Sequence, residues 1–222
     1  GNAAQVGSPL GVMVGTRIQR DADDNFVVNA NGDYIDEEGL FEIGDPNPDW
    51  VLNVGNSFSY KNFNFNFLFN YTHGGDIYSR TTSVLIGRGL TTDVVDRLNS
   101  FILPGVRADG TPNDVQINNS TFYFNNVLFG PDELGVFDAS TVRLQEVSLG
   151  YSVPSKFLDK TPFGSLSFTL SGFNMWYEAI NIPKGTNFDP NVAGIGIGNG
   201  RGFDYLNGPS SRRYGFSVKA SF

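Results

Sequence analysis

The sequence predicts an all-β protein, an antiparallel up-and-down sheet of about six strands that is one segment of a larger transmembrane β-barrel. Apolar and aromatic residues alternate with Asn, Ser and Thr in runs of about ten residues, the length of a tilted membrane-spanning strand. Short and long connections alternate between these runs, as in barrels with tight turns at one end and long loops at the other. Because the smallest such barrels have eight strands, six can form only part of one.

Composition excludes several other classes. Only 17% of the 222 residues are charged, against about 25% in a typical soluble domain, and Gly (27) and Phe (20) are abundant. No stretch approaches the roughly 18 consecutive apolar residues of a membrane-spanning helix. The net charge of -8 argues against a nucleic-acid partner. Without cysteine the chain has no disulfide, thiolate nucleophile or Cys-ligated zinc.

Residues 63–72 give the clearest strand. One face carries five aromatic residues, Phe63, Phe65, Phe67, Phe69 and Tyr71. The other carries Asn64, Asn66, Asn70 and Thr72, with Leu68 as the exception. Lys61 and Asn62 separate this strand from residues 51–60 at the spacing of a two-residue hairpin.

Four further runs complete the predicted sheet. Residues 165–171 alternate cleanly in a strand that ends near Trp176, and residues 213–222 alternate in the last strand. Residues 12–19 are predicted to form the first strand. Residues 141–152 are rich in β-formers, but their apolar parity changes half-way, which a β-bulge near Gln145 and Glu146 would explain. The connections after residues 19, 72 and 176 are long, polar and rich in Gly, Asn and Asp, so they are expected to form functional loops.

Periodicity alone leaves two environments open for the aromatic face. It is the core of a soluble sandwich, or it faces lipid while the amide face lines a lumen. The alternation of short and long connections favours the outer-membrane barrel. So does the end of the chain, where an alternating strand closes on an aromatic residue in the form that barrel assembly machinery recognises. This predicted assembly signal comprises Tyr214, Phe216, Val218 and Phe222.

Several short motifs resemble, in family order, the C-terminal portion of SusC/RagA-type TonB-dependent outer-membrane transporters of Bacteroidota. They are residues 43–50 (IGDPNPDW), 61–63 (KNF), 74–78 (GGDIY), 103–106 (LPGV), 109–113 (DGTPN), 142–151 (VRLQEVSLGY) followed by Pro154, 188–191 (FDPN) and 213–216 (RYGF). Together they cover nearly the whole chain. Residues 36–39 (DEEG) depart from the family, which often has a Gly and a basic residue there.

The resemblance implies that residues 1–222 are the C-terminal part of a 22-stranded barrel domain in the outer membrane of a Gram-negative bacterium. It implies contact with outer-membrane lipid and lipopolysaccharide, a SusD-like surface lipoprotein as a lid, and oligosaccharide or peptide cargo. Energy would come from the TonB–ExbB–ExbD complex, through a plug region that this chain is expected to lack.

The predicted site is a binding surface, so no catalytic residue, cofactor or metal is expected. Asn64, Asn66 and Asn70 are candidates for cargo contacts in the lumen, because an amide both donates and accepts hydrogen bonds. Tyr123 and Phe124, in the long third connection, are candidates for contacts with ligand or lid. Three residues at predicted outer strand ends are expected in the aromatic belt at the membrane interface. They are Trp50, Trp176 and Tyr177.

Three other sequence patterns could indicate a metal, phosphate or catalytic site, but each favours a simpler interpretation. Residues 21–25 and 31–33 offer oxygen ligands for calcium but lack the EF-hand register, which favours a solvated acidic loop. The run Gly194-x-Gly196-x-Gly198-x-Gly200 lacks a following helix and is interpreted as a loop rather than a phosphate cradle. His73, the single histidine, is interpreted as a strand-end residue rather than a catalytic residue. The alternatives to a TonB-dependent importer are a soluble all-β carbohydrate-binding module and a passive porin.

Overall fold

The computed structural model describes residues 1–92, 96–192 and 198–222, so Gly194 and Gly196 of the glycine run lie outside the described residues. The chain divides into two compact units. The sheet unit comprises residues 50–73, 140–180 and 210–222, and the loop unit comprises residues 1–49, 74–139 and 181–209. No helix in the described ranges is long and apolar enough to cross a membrane.

Strands dominate both units. In chain order they are β1 (Asn2–Ala3), β2 (Val12–Gly15), β3 (Val27–Val28), β4 (Phe41–Gly44), β5 (Trp50–Tyr60), β6 (Phe63–His73), β7 (Asp76–Ser79), β8 (Ser100–Ile102), β9 (Val106–Arg107), β10 (Gln116–Asn118), β11 (Val136–Asp138), β12 (Thr141–Ser152), β13 (Ser165–Ala179), β14 (Phe203–Asp204) and β15 (Arg213–Ser221). The helices are α1 (Arg80–Gly87), α2 (Asn119–Thr121), a π-helix (Phe122–Leu128) and 3₁₀ turns at Asp132–Gly135, Ser155–Phe157 and Lys184–Thr186.

The sheet unit is one antiparallel sheet in the order β15-β13-β12-β6-β5, so each strand pairs with its neighbours in the chain order of this unit. Short connections, residues 61–62 and 153–164, join strand pairs at one end of the sheet, and the chain leaves the other end through residues 74–140 and 180–212. The predicted up-and-down order with alternating short and long connections is therefore confirmed for these five strands.

The prediction of a sixth strand in this sheet is wrong. Residues 12–19 do not join the large sheet, because β2 ends at Gly15 and belongs to a three-stranded sheet with β1 and β4 in the loop unit. Val12 and Met13 are both fully buried, so consecutive side chains are covered on both faces. A strand of the large sheet would instead alternate between two environments. The sheet unit thus contains five of the six predicted strands.

Two local predictions for the sheet are confirmed. Tyr60 pairs with Phe63, and the hairpin between them turns through Lys61 in a left-handed conformation with φ of 54°. The pairing register of β12 shifts between Leu144 and Glu146 against both of its neighbours, which is the predicted bulge. Because the bulge inserts one residue, Leu144 and Val147 reach the same face despite their opposite parity.

The pairing register gives the sheet two chemically different faces. The apolar face carries Trp50, Leu52, Val54, Phe58, Tyr60, Phe63, Phe65, Phe67, Phe69, Tyr71, Val142, Leu144, Val147, Leu149, Tyr151, Leu166, Phe168, Leu170, Trp176, Tyr214, Phe216 and Val218. The polar face carries Asn53, Ser57, Ser59, Asn64, Asn66, Asn70, Thr72, Arg143, Glu146, Ser148, Ser152, Ser167, Thr169, Ser171, Tyr177, Ser217 and Lys219, with few apolar side chains between them.

The loop unit contains small sheets, buried apolar side chains and buried polar groups. Its hydrophobic cluster is small and centres on Met13, Tyr78 and Phe203. Asp204 is fully buried at the start of α1, where its carboxylate accepts hydrogen bonds from the Ser79 hydroxyl and the Thr81 backbone N–H, both at 3.0 Å. An anion at a helix N-terminus is favoured by the unpaired N–H groups there. This contact joins segments 125 residues apart in the chain.

Candidate functional site

The three predicted lumen asparagines lie along strand β6 on the polar face, and each hydrogen-bonds to a neighbouring strand. Asn64 Oδ1 accepts from the Ser59 hydroxyl at 2.6 Å, Asn66 Nδ2 donates to Ser148 Oγ at 3.2 Å, and Asn70 Nδ2 donates to Asn53 Oδ1 at 2.9 Å. A side-chain amide offers two donors and an acceptor oxygen with two lone pairs. These cross-strand bonds orient the amides and leave each of them hydrogen-bonding capacity for a ligand.

Arg143 is a polar-face residue that sequence reasoning missed. It is only 7% exposed, donates a hydrogen bond to Asn174 Oδ1, and its guanidinium lies 5.4 Å from the centre of the Tyr177 ring. Asn174 sits beside the bulge with a φ of 53°. The available signal was a basic residue within a β-rich stretch whose one other charged residue is Glu146, since a buried charge needs specific partners.

The predicted interface aromatics separate into two groups. Trp50 and Trp176 lie on the apolar face, and Trp50 packs edge-on against Tyr71 with ring centres 5.0 Å apart. Tyr177 lies on the opposite, polar face, because neighbouring residues in a strand point to opposite sides. Strand β13 also continues past both residues to Ala179. The membrane-interface role of Trp50, Trp176 and Tyr177 stays a prediction.

The predicted assembly residues are exposed in and after β15. Tyr214, Phe216 and Val218 share the apolar face, where the Phe216 ring stacks on Phe168 with centres 6.2 Å apart. Phe222 follows the strand, is 90% exposed and touches the Phe163 ring at 5.3 Å between centres. Their role as an assembly signal stays a prediction.

Tyr123 and Phe124 lie in the π-helix of the loop unit. The Phe124 ring packs edge-on against Phe129 with centres 5.0 Å apart, and the Arg88 guanidinium lies 5.3 Å from its centre. Tyr123 is only partly exposed and packs against Phe122. The sequence indicated two of these aromatic residues but gave no sign of Phe129 or the arginine, because no local period connects them. A π-helix is rare and is frequently found at functional sites.

A buried carboxylate fixes the position of this π-helix. The Asp33 carboxylate accepts one hydrogen bond from Asn125 Nδ2 and another from Asn126 Nδ2, both at 2.9 Å. Asn126 Oδ1 in turn accepts from the Tyr34 backbone N–H at 2.8 Å. Asp33 itself closes a turn in which Asn29 Oδ1 caps its backbone N–H. The sequence interpretation of residues 31–33 as solvated loop is therefore incomplete, since Asp33 is buried.

The other acidic clusters do not bring ligands together in the way that metal binding needs. Among the described residues, no group of three or more His, Asp or Glu side chains is arranged to hold a metal ion. Asp21 uses its carboxylate to cap the N–H groups of Asp23 and Asn25. Burial raises the pKa of Asp76, and the nearby carboxylates of Asp138 and Asp45 add to the effect.

Sequence comparison relates the chain to TonB-dependent receptors. No family model matches it. It is 28% identical over 185 residues to TonB-dependent receptor P3 of Formosa agariphila, a match covering 81% of this chain and 17% of that protein. It is also 28% identical over 210 residues to TonB-dependent receptor P26 of the same organism, covering 87% of this chain and 19% of that protein. The chain thus spans about a fifth of the length of the curated relatives it matches.

Structural comparison finds the same fold in a peptide importer. RagAB in its open-open state matches 97% of this chain and 23% of the other chain, with a TM-score of 0.58 and 17% identity. The closed-closed state matches 96% of this chain and 23% of the other, with a TM-score of 0.51 and 16% identity. The chain therefore has the fold of part of the RagAB importer. The resemblance to the SusC/RagA type that the sequence motifs predicted is confirmed.

Proposed function

We propose that this chain forms part of the wall and of the extracellular loops of a TonB-dependent nutrient importer in the outer membrane of a Gram-negative bacterium. The observation that carries the proposal is the two-faced sheet. A continuous apolar and aromatic surface covers one side of all five strands, and hydrogen-bonded Asn, Ser and Thr side chains cover the other.

The apolar face supports contact with lipid. Large side chains from all five strands are substantially exposed on it, including Phe58, Phe63, Leu149, Leu170 and Phe216. Soluble monomers rarely expose contiguous apolar patches larger than a few hundred Å². Strands that alternate apolar-out and polar-in are the pattern of outer-membrane barrels. A soluble carbohydrate-binding module would have to cover this face, so that alternative is the less favoured one.

The polar face supports binding and passage of cargo without bond chemistry. Asn64, Asn66 and Asn70 would line the lumen and exchange hydrogen bonds with hydroxyl or amide groups of an oligosaccharide or peptide. If Leu replaces all three and uptake is unchanged while the barrel still assembles, this role is wrong.

The proposed partners follow from the relatives' names and the family resemblance. Energy would come from TonB–ExbB–ExbD, and a SusD-like surface lipoprotein would cover the loops. A passive porin is distinguished from this importer by collapsing the proton gradient, which stops uptake only if transport depends on TonB.

Paired cysteine labelling tests the two-faced sheet directly, because residues 1–222 contain no cysteine. Ser148 lies on the polar face opposite Asn66 and Ser171, whereas its neighbour Leu149 lies on the apolar face opposite Phe65 and Leu170. In intact protein in the membrane, Ser148→Cys should react with a charged thiol reagent and be protected by cargo. Leu149→Cys should react only with a lipid-soluble reagent. Equal labelling of both by the charged reagent would contradict the proposal.

A further inference from the structure

An aromatic pair flanked by two arginines forms a distinct surface in the loop unit. Phe124 is 38% exposed and Phe129 is 57% exposed, with their rings 5.0 Å apart between centres. The Arg88 guanidinium lies 5.3 Å from the centre of the Phe124 ring, and the Arg80 guanidinium lies 5.7 Å from that of Phe129. We call Arg80, Arg88, Phe124 and Phe129 the aromatic–arginine patch.

The two arginines of the patch carry positive charge that no described carboxylate neutralises. Arg17, Arg20 and Arg107 pair with Glu37, Asp24 and Asp114, whereas neither Arg80 nor Arg88 forms an ion pair with a carboxylate that the structure describes. Arg80 donates to the Leu128 carbonyl, and Arg88 has the ring contact. In a chain of net charge -8, two such guanidinium groups beside exposed rings make a local site for an anion.

The patch is built on a rigid support. Its two phenylalanines come from the π-helix and the residue after it, and Asp33 holds that helix through Asn125 and Asn126. Asn126 is fully buried, so its bonds to Asp33 and Tyr34 are shielded from water. Groups held in place before binding lose less conformational entropy when a ligand arrives, which raises affinity.

Asn125 adds a third chemical function next to the rings. It is exposed, follows Phe124 directly in the chain and uses its amide N–H for Asp33. Its carbonyl oxygen accepts no hydrogen bond from the part of the chain that the structure describes, so it is available to a hydroxyl donor. The surface therefore combines apolar ring faces, two guanidinium groups and a carbonyl acceptor.

We propose that the aromatic–arginine patch binds uronic acid units of an acidic oligosaccharide. This inference rests on the proposed function as an importer and specifies its cargo. The C–H face of the sugar ring packs on Phe129, the C6 carboxylate pairs with Arg88 and Arg80, and a ring hydroxyl donates to Asn125. Guanidinium and carboxylate groups match in a bidentate geometry. A neutral sugar leaves the arginines unpaired, and an acidic peptide supplies the carboxylate without the hydroxyl groups.

Titration calorimetry on the intact protein in detergent tests the proposal with three probes of similar length. They are trigalacturonic acid, its fully methyl-esterified form and triglutamate. The acid should bind at least ten times more tightly than the ester, and its affinity should fall as salt is raised, because salt screens exposed charges. Equal binding of acid and ester, or tighter binding of triglutamate, would overturn the proposal.

Substitutions locate the binding to the patch. Arg88→Gln should weaken trigalacturonic acid binding about tenfold, the loss expected for one charge-assisted hydrogen bond. Phe129→Leu should weaken the ester and the acid alike. Arg107→Gln is the matched control, because Arg107 lies in the same unit but already pairs with Asp114. The affinity of this variant for trigalacturonic acid should be unchanged. Arg88→Lys keeps the charge and should recover part of the loss, which separates recognition from misfolding.

The binding and import measurements test the patch and the importer proposal separately. If trigalacturonic acid binds and Arg88→Gln weakens that binding about tenfold, but the protein imports nothing, the patch is supported and the proposed function is contradicted. Import that continues with no measurable binding of trigalacturonic acid contradicts the patch and leaves the importer standing.

Discussion

Placing a lysine at the middle of the apolar face tests which side of the sheet meets lipid. Phe67 lies near the centre of the 11-residue strand β6, and its register partners are Asn56 and Val147. Asn66, the preceding residue, lies on the polar face opposite Ser57. Phe67→Lys and Asn66→Lys therefore introduce the same charge at nearly the same depth on opposite faces.

The expected cost of Phe67→Lys has two parts. Phe67 contacts three rings, those of Phe58, Phe65 and Phe69, with centres 6.2, 6.0 and 5.6 Å away. At the lower end of about 0.5 kcal/mol for each aromatic pair, their loss costs about 1.5 kcal/mol. A lysine facing lipid at mid-depth costs about 2–4 kcal/mol more. Asn66→Lys loses only its hydrogen bond to Ser148, which costs about 1 kcal/mol.

Urea unfolding of the intact protein in lipid vesicles measures these costs. Phe67→Leu removes the aromatic contacts and keeps the position apolar, so the difference between the Lys and Leu variants isolates the charge. That difference should be about 2–4 kcal/mol. A difference below 1 kcal/mol, or an equal loss for Asn66→Lys, would refute the assignment of the aromatic face to lipid.

Two further predictions concern the loop unit. Gly105→Ala should destabilise this unit more than Gly110→Ala, since a Cβ on Gly105 would lie 2.4 Å from the Phe26 carbonyl oxygen while one on Gly110 meets nothing within 4 Å. Both have positive φ, so Gly110→Ala gives the backbone cost of about 1–2 kcal/mol alone, and equal unfolding midpoints would contradict the expected clash. Burial, helped by the charge of Asp132, raises the pKa of Tyr78 from 10.0 to about 12. The unfolded state releases this proton first, so the free energy of unfolding should fall by about 2 kcal/mol between pH 10 and 12. Tyr78→Phe should lose this part of the slope in unfolding measured across that range, and an unchanged slope would refute it.

The sheet could be predicted from sequence because its information is local. Strand geometry alternates side chains, so residues 63–72 fix both faces of β6 without knowledge of its partners. The bulge followed from a change of parity within β12 alone. The hairpin at Lys61 followed from the spacing of two adjacent strands.

The loop unit could not be predicted in the same way. Residues 12–19 have the composition of a strand, but the burial of both Val12 and Met13 depends on packing against distant segments. The patch joins α1 to the π-helix, elements about forty residues apart in the chain. No period or motif connects Arg88 to Phe124, so only the folded loops bring them together.

The two units differ in which side chains they bury, and this difference predicts which substitutions destabilise each unit. In the sheet unit, many large apolar side chains are exposed and strand β5 is exposed along its whole length, so the stability of the apolar side is expected to depend on its surroundings. In the loop unit, fully buried polar groups such as Ser79, Thr82 and Asp204 satisfy one another. A buried polar group that loses its partner is more costly than a lost apolar contact on an open face. We therefore expect the stability of the loop unit to depend on its internal hydrogen bonds. We expect that of the sheet unit to depend on the charge and polarity of the surroundings of each face.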